Sequence, residues 1–341
     1  MRVMSLSTPG PVASKPLRPC DRPQPEPGPG EVLVRVEACG VCRTDLHVVE
    51  GDLAPRREVL VPGHEVVGRV VASGRGARRF ANGARAGVAW LHRACGRCRF
   101  CARGAENLCL APRFTGWDVD GGYAEYVVAP EDFVHPLPDG PRARDLAPLL
   151  CAGIIGHRAF VRSNAQPGAR LGLYGFGGSA HLVIQIARHR GCQVYVFSRE
   201  TGHRDLARSL GAAWVGGSFD APPHPLDAAI LFAPAGELVP VALAALDRGA
   251  TLAIAGIHLS DVPSLDYQRH LFQEKTLQSV TSNTRSDAAM LLRLGAEIPL
   301  ETRTTAYALE DANEALLDLA EDRVCGAAVL EIWDGSAGSG G

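Results

Sequence analysis

The sequence predicts an α/β protein with two domains, a compact β-barrel-like domain followed by a doubly wound parallel sheet. The chain has 341 residues, which is enough for two domains of ordinary size. Short apolar strands punctuated by glycine and proline fill its first part. Beyond about residue 145, strands alternate with helices, which is typical of βαβ units and of a parallel sheet covered on both faces.

Four short strands are predicted in the first part. Residues 1–31 are rich in proline and are expected to form a surface loop that leads into the first strand. Glu31–Cys39 alternates apolar and polar residues, as a half-buried strand does. The other three strands are Glu65–Ser73, Gly83–Trp90 and Gly122–Ala129.

The second part alternates helices with strands. The predicted helices are Asp145–Phe160, Ser179–Arg190, Arg204–Leu210 and Glu237–Leu246. Gly211 lies where the C-cap of the third helix would be. The predicted strands are Ala169–Tyr174, Gln193–Phe197, Asp227–Phe232 and Thr251–Gly256.

The last segment does not continue this alternation. Leu309–Ala320 predicts an amphipathic helix, and Val324–Ile332 predicts a terminal strand. We therefore expect this segment to fold back onto the first domain. The predicted domains are residues 1–151, residues 152–285 and a returning segment at 286–341, whose final GSAGSGG is flexible by composition.

The composition argues against nucleic acid and membranes as partners. The formal net charge is -2, with 35 basic and 37 acidic residues, and no basic patch for a polyanion stands out. The N-terminal stretch lacks the long apolar core of a secretory signal. We expect a cytoplasmic protein whose remaining cysteines stay as thiols, namely Cys20, Cys39, Cys192 and Cys325.

Four cysteines follow one another in a C-x2-C-x2-C-x7-C pattern: Cys95, Cys98, Cys101 and Cys109. Four thiolates at such spacing can close a tetrahedral shell around Zn²⁺. An iron–sulfur cluster is the main alternative, but the fourth cysteine comes too late for the ferredoxin pattern and no proline follows it. No histidine pair or basic recognition helix accompanies the cysteines, as a DNA-binding zinc finger would require. The pattern favours a structural zinc that holds the 95–109 loop.

A second group of reactive side chains lies between Cys39 and Glu65. Cys42 and His64 are candidate metal ligands in this stretch. A hydroxyl, a carboxylate and a second imidazole follow the cysteine at once, from Thr44, Asp45 and His47. The combination predicts a metal site with proton-handling groups beside it.

A nucleotide-binding loop is predicted between the first strand and the first long helix of the second domain. Leu171–Ala180 reads LGLYGFGGSA and matches G-x-G-x-x-[GA], with Gly175, Gly177 and Gly178 in the turn. Glycines there allow close approach of a pyrophosphate, which binds at the helix N-terminus.

The end of the next strand predicts which nicotinamide cofactor is used. An acidic residue there would bind the ribose 2′-hydroxyl of NAD. This chain instead has Ser198 and Arg199, followed by Glu200. The Arg199 guanidinium could pair with a 2′-phosphate, which favours NADP over NAD. The alternative is that Arg199 is simply exposed and NAD is used with less discrimination.

These motifs together resemble the zinc-dependent medium-chain alcohol dehydrogenases, especially the shorter bacterial forms. The resemblance rests on CGVCRTDLH at 39–47, GHEVVGRVVASGRGA at 63–77, the four-cysteine loop and GFGGSA at 175–180. It implies a GroES-like catalytic domain split around a Rossmann cofactor domain. It also implies an NAD(P)-dependent dehydrogenase, a homodimer or homotetramer, that acts on small alcohols or aldehydes.

The resemblance also implies a set of metal-site roles. It makes Cys42, His64 and Cys151 the ligands of a catalytic zinc, so that two zinc ions bind each chain. Glu65 matches a carboxylate near the metal that can coordinate transiently, and Asp45 matches the carboxylate that orients His64.

Five further residues take family roles in cofactor, proton and substrate handling. Arg43 matches a residue that contacts the cofactor pyrophosphate. Thr44 would accept the alcohol proton and pass it through the cofactor ribose to His47. Trp90 and Leu91 fall where the substrate pocket has bulky residues.

Two other functions remain open at this point. A quinone or enone reductase would keep the fold, but such relatives usually lack the zinc ligand set that this chain has. A zinc-stabilised redox sensor without turnover would hold about one zinc per chain and would not bind nicotinamide.

Overall fold

The computed structural model describes residues 1–281 and 283–333, so the GSAGSGG tail lies outside the described residues. The chain divides into two compact units. The first unit comprises residues 1–151, 283–292 and 302–333, and the second comprises residues 152–281 and 293–301.

Seventeen strands occur in the described residues. They are β1 (Arg2–Ser5), β2 (Arg18–Asp21), β3 (Glu31–Val41), β4 (Glu65–Ser73), β5 (Arg85–Val88), β6 (Leu91–Arg93), β7 (Arg113–Phe114), β8 (Tyr126–Pro130), β9 (Val134–Pro136), β10 (Arg170–Tyr174), β11 (Gln193–Phe197), β12 (Trp214–Gly216), β13 (Leu226–Leu231), β14 (Leu246–Ile254), β15 (Thr276–Ser279), β16 (Thr304–Ala308) and β17 (Ala327–Glu331).

Nine α-helices accompany them in the same residues. They are α1 (Arg43–Glu50), α2 (Ala143–Leu146), α3 (Ala152–Arg162), α4 (Ala180–His189), α5 (Thr201–Ser209), α6 (Leu238–Ala245), α7 (Tyr267–His270), α8 (Arg285–Glu297) and α9 (Ala312–Ala320). Within the described part of the chain, none of these helices combines the length and the apolar character that crossing a bilayer requires.

The first unit is built around a seven-stranded sheet of order β16-β17-β3-β4-β5-β9, with β8 paired to β3. Strand β3 is its longest element, and it covers the predicted Glu31–Cys39 strand. It is buried on both faces rather than half-buried as predicted, because only Glu31 and Arg35 are partly exposed. The predicted bounds of β4 match the structure, whereas β5 and β8 are shorter or later than predicted. Strand β17 pairs antiparallel with β3, so the C-terminal segment joins this sheet.

The second unit contains a six-stranded parallel sheet of order β12-β11-β10-β13-β14-β15. Counted along this unit, the strands stand in the order three, two, one, four, five, six, which is the doubly wound dinucleotide-binding arrangement. The centre of the sheet is fully buried, as Leu171, Leu173 and Ile230 show. The predicted α/β architecture, a β-domain followed by a doubly wound parallel sheet, is confirmed by these two sheets.

One predicted helix is wrong in a way that matters for the site. Asp145–Phe160 was expected to be a single helix, but the structure has α2, a 3-10 turn at Ala147–Leu150 and then α3. Pro148 lies in the turn, where its ring and missing N–H oppose a continuous α-helix. Cys151 sits at the break with φ -130° and ψ -70°, between the turn and α3.

A buried ion pair fixes β5 against β3. Arg85 donates from Nε and Nη2 to Glu37 Oε2 at 3.1 and 2.8 Å. Its Nη1 donates to the carbonyl oxygens of three residues in the loop that leads to α2, Pro138, Asp139 and Pro141. The two side chains are only 5% and 8% exposed, so the pair is shielded from water.

The four-cysteine loop is attached to the first unit by another ion pair. Glu106 accepts hydrogen bonds from Arg285 Nε at 3.0 Å, from Nη2 at 2.7 Å and from the Arg285 backbone N–H at 2.7 Å. Burial raises the pKa of Glu106, but the hydrogen bonds and the charge of Arg285 outweigh it and lower the pKa below its ordinary value of 4.5.

We predict that Arg85→Met lowers the free energy of unfolding by about 3 kcal/mol, because it removes the principal buried partner of the Glu37 carboxylate. Urea unfolding measures this loss. Arg69→Met is the control, since Arg69 also contacts Glu37 at 3.0 Å but its side chain is 33% exposed. It should cost less than about 1 kcal/mol. Equal losses in the two variants would contradict the role given to burial.

We predict a pH-dependent coupling between Glu106 and Arg285 of about 1 kcal/mol at neutral pH, modest because the Arg285 side chain is 46% exposed. The folded-state pKa of Glu106 is lowered, so its stabilisation is present above the unfolded-state pKa. It is lost as the pH falls through the folded-state pKa. A double-mutant cycle with Glu106→Gln and Arg285→Met, repeated from pH 7 downwards, should show the coupling disappear in acid. A coupling that persists in acid would rule out this account.

Candidate metal centres and nucleotide loop

The first candidate metal centre begins at the N-terminus of α1. Cys42 is the N-cap residue, and its Sγ accepts a hydrogen bond from the Thr44 backbone N–H at 3.4 Å. Asp45 completes a capping box, because its Oδ2 accepts from the Cys42 backbone N–H at 3.0 Å. The cap therefore directs a sulfur atom away from the helix and leaves the second carboxylate oxygen of Asp45 available.

That second oxygen holds the imidazole of His64. His64 Nδ1 donates to Asp45 Oδ1 at 3.0 Å, and its Nε2 lies 3.4 Å from Cys42 Sγ. The side chains of His64 and Asp45 are 0% and 1% exposed. A carboxylate behind Nδ1 leaves Nε2 as the nitrogen that can bind a metal, which is the usual arrangement around a metal-binding histidine.

Four potential ligand atoms meet at this centre. They come from Cys42, His64, Glu65 and Cys151, and all lie within 4.8 Å of one another. His64 and Glu65 stand at the start of β4, and Cys151 reaches them from the break before α3. The structure thus brings together the three predicted ligands and the predicted accessory carboxylate.

The environment of the Glu65 carboxyl group is suited to a nearby cation. Its Oε1 is buried and has no hydrogen-bond partner among the described residues. Burial raises the pKa of Glu65 well above its usual range. Gly40 makes room for the group, since a Cβ at that position would lie 1.8 Å from Glu65 Oε2.

The thiols of this centre are also suited to binding a metal ion. Hydrogen bonding with Cys151, followed by burial, raises the pKa of the Cys42 thiol well above its usual range. A bound dication reverses this effect, because a coordinating thiol loses its proton. Two thiolates and one imidazole are ligands that zinc prefers, and three protein ligands are typical of catalytic zinc.

Two predicted proton-handling residues lie on α1, one turn apart. Thr44 is buried, and His47 follows at the i+3 position on the same face of the helix. His47 Nδ1 lies 2.8 Å from Asp52 Oδ2. Asp52 was missed by the sequence analysis; Gly51, which ends the helix, is the one local sign that the chain turns back there.

Aromatic rings surround one side of the His64 imidazole. The Trp90 ring centroid lies 4.9 Å from that of His64 in an edge arrangement. Phe114 and Trp117 stack on Trp90 at 4.9 and 6.0 Å. Only Trp90 was predicted in this role, because the other two rings approach it through the β6–β7 pairing, which the sequence pattern did not reveal. Leu91, also predicted, is buried in β6.

Arg43 is engaged by a carboxylate in the structure. Its Nη2 donates to Asp322 Oδ1 at 2.5 Å. The two residues belong to α1 and to the turn after α9, and their separation along the chain explains why this pair was not predicted.

The second candidate metal centre is the four-cysteine loop. The sulfur atoms of Cys95, Cys98, Cys101 and Cys109 all lie within 4.8 Å of one another. Backbone N–H groups surround them, as in the 3.2 Å bond from Cys95 N–H to Cys109 Sγ. Such backbone hydrogen bonds, chiefly from Cys101, lower the pKa of Cys98 to about 6. Four converging thiols fit a closed tetrahedral zinc site.

The predicted nucleotide loop joins β10 to α4. Gly175 has φ 88°, and a Cβ there would lie 2.8 Å from the Ala233 backbone nitrogen. Gly177 has open space on its Cβ side, and Gly178 follows it just before α4. The loop therefore presents backbone at the N-terminus of a buried helix, which suits a pyrophosphate.

The two predicted specificity residues follow β11. Ser198 is buried, whereas the Arg199 side chain is 73% exposed, with its Nε 4.0 Å from Glu200 Oε1. The strand end carries a hydroxyl and a guanidinium where NAD-type sites have a carboxylate.

Comparisons with known proteins agree with this arrangement. Residues 28–139 match the family described as "Alcohol dehydrogenase GroES-like domain", and residues 178–297 match "Zinc-binding dehydrogenase". The chain is 54% identical over 337 residues to the probable alcohol dehydrogenase AdhA of Mycobacterium tuberculosis, with 97% of each chain covered.

Solved structures of the same fold are also similar. A cobalt- and zinc-bound thermostable alcohol dehydrogenase from Pyrobaculum aerophilum has a TM-score of 0.89 at 26% identity, covering 97% of this chain and 99% of that one. Acetophenone reductase from Geotrichum candidum, in complex with NAD, has a TM-score of 0.87 at 26% identity, covering 98% of each. With the ligand geometry above, these matches show that the chain belongs to the zinc-dependent medium-chain alcohol dehydrogenases and is an NAD(P)-dependent oxidoreductase.

Proposed function

We propose that Cys42, His64 and Cys151 hold the catalytic zinc of a reversible dehydrogenase for primary or secondary alcohols. The observation that carries the proposal is the convergence of their ligand atoms with Glu65 at one buried point. Three ligands leave a fourth position for the oxygen of an alcohol, aldehyde or ketone. Glu65 Oε1, which has no partner among the described residues, can assist ligand exchange at that position.

Zinc supplies Lewis-acid polarisation of the substrate oxygen, and the nicotinamide accepts the hydride. Side chains of the protein carry out the orientation and proton-transfer steps. Asp45 orients His64 by accepting from Nδ1. The Thr44 hydroxyl accepts a hydrogen bond from the alcohol and releases its own proton toward His47 as it takes the proton of the alcohol. His47 carries that proton onward, since its position one turn after Thr44 places both side chains on the same helix face. Trp90, with its ring against His64, lines the substrate side.

The second zinc is proposed to be structural. The four sulfur atoms of the 95–109 loop can complete the tetrahedral shell by themselves, which leaves no open position for a substrate. The loop has little regular structure, only two 3-10 turns, so a metal would supply the stability that a core supplies elsewhere.

The cofactor is proposed to be NADP in preference to NAD, bound at Gly175, Gly177 and Gly178. Ser198 and the exposed Arg199 support this choice, because no carboxylate follows β11 directly to repel a 2′-phosphate. Arg43 is proposed to contact the pyrophosphate.

We propose further that the protein is a cytoplasmic homodimer or homotetramer. A reducing compartment suits a chain with two groups of converging thiols. Strand β15 supports self-association, since within the described residues it ends the parallel sheet, and its outer edge, with the 36% exposed Leu277, could pair with a second copy.

We predict about two zinc atoms per chain. Cys42→Ala should retain about one zinc atom and lose alcohol oxidation, because it removes a ligand of the catalytic site only. Metal analysis and turnover of an alcohol panel measure both effects. Cys192→Ser is the control, since Cys192 lies outside both clusters, and it should keep both metals and full activity. One zinc in the unsubstituted protein, or unchanged turnover in Cys42→Ala, would refute the assignment.

We predict that Arg199→Ala lowers the ratio of kcat/KM for NADP to that for NAD by about tenfold, the effect of losing one charge-assisted phosphate contact. The ratio is measured with one alcohol and both cofactors. Arg190→Ala, which removes an exposed arginine after α4, is the matched control and should leave the ratio unchanged. An unchanged ratio in Arg199→Ala would remove the basis for NADP preference.

A further inference from the structure

The chain turns back on itself at the end of α1 and places a carboxylate beside His47. Gly51 ends the helix with φ 90°, the left-handed conformation that glycine adopts without strain. The backbone N–H groups of Gly51 and Leu53 both donate to the carbonyl oxygen of His47, at 3.1 Å each. This turn brings Asp52 Oδ2 to 2.8 Å from His47 Nδ1.

The pair extends from the interior toward solvent. The His47 side chain is 13% exposed, whereas that of Asp52 is 52% exposed. A carboxylate can only accept a hydrogen bond, so Nδ1 must carry the hydrogen when the two are bonded. The lone pair of a neutral His47 is then on Nε2, so Nε2 is the nitrogen that can accept a proton.

We propose that Asp52 is a positioning residue for proton release during alcohol oxidation. The inference rests on the proposed role of His47 as proton carrier. Oxidation releases a hydride, which reduces the nicotinamide, and a proton, which reaches Nε2 of His47. Asp52 fixes the imidazole tautomer and stabilises the imidazolium until the proton passes to water or buffer.

A structural contribution from the same pair is expected to be small. The turn is held by the backbone bonds to His47 O, which do not involve the carboxylate. A half-exposed ion pair adds little to folding. Loss of the carboxylate should therefore affect proton transfer far more than stability, and this difference separates the two roles.

The test compares Asp52→Asn with Asp52→Glu, His47→Gln and a matched control, Glu50→Gln. Glu50 is a nearby carboxylate whose Oε1 accepts from the Val12 N–H at 3.0 Å, a structural contact. We expect Asp52→Asn to lower kcat for alcohol oxidation about tenfold in dilute buffer. The solvent deuterium isotope effect should rise, and added imidazole should restore turnover. Asp52→Glu should recover most of the rate.

A readout independent of turnover is the tautomer of His47. In ¹⁵N-histidine-labelled protein at alkaline pH, the His47 signals, assigned by their loss in His47→Gln, should show Nδ1–H in the unsubstituted protein. Asp52→Asn should shift them toward the Nε2–H form. Glu50→Gln should leave the tautomer and the isotope effect unchanged.

Each outcome supports or contradicts the proposed role of Asp52. Unchanged kcat and tautomer in Asp52→Asn, with a slow His47→Gln, would overturn the inference and leave the relay intact. Unchanged turnover in His47→Gln would remove the relay itself. A slow Asp52→Asn that imidazole does not rescue, with an unchanged isotope effect, would make Asp52 structural. If Asp52→Asn does not fold, Asp52→Ser and Asp52→Glu give the same comparison.

Discussion

A single buried carboxylate, that of Asp45, links the two elements that carry the first candidate metal centre. One oxygen closes the N-terminal cap of α1 by accepting the Cys42 N–H, and the other accepts from His64 Nδ1. An amide in its place would have one acceptor atom and could not make both contacts. The start of α1 and the start of β4 are therefore coupled through one side chain, which fixes the candidate ligands Cys42 and His64 relative to each other.

The space for this arrangement comes from residues without side chains. Gly40 admits the Glu65 carboxyl, and Gly63, with φ 98°, would bring a Cβ within 2.4 Å of the Tyr123 ring. Gly40 lies two residues before Cys42 and Gly63 directly precedes His64, yet the need for glycine at both positions is visible only from the side chains that pack against them. The glycines near Cys42 and His64 are therefore needed for packing, in addition to the chemical role of the neighbouring side chains.

The sequence predicted whatever depends on local spacing. Alternation predicted β3, a short apolar run predicted β4, and the glycine-rich turn predicted the nucleotide loop between β10 and α4. It failed where distant residues decide the outcome. The helical pattern through Cys151 hid the break at Pro148, and the Arg43–Asp322 pair joins residues far apart in the chain. Asp52 was missed because its partner is set by a backbone turn, not by side-chain pattern.

The two candidate metal centres differ in how far apart their residues lie in the sequence. This difference explains why spacing predicted one centre and the family resemblance predicted the other. The 95–109 loop carries its four ligands within one short segment, and local backbone N–H groups orient the sulfur atoms, as Cys95 N–H does for Cys109. Spacing alone therefore identifies it. The candidate ligands of the first centre come from a helix cap, a strand start and a helix break, and the fold around β3 and β4 brings them together. The geometry of this centre therefore depends on the whole fold. For that reason only the family resemblance, and not the local spacing, identified Cys151 as a candidate ligand.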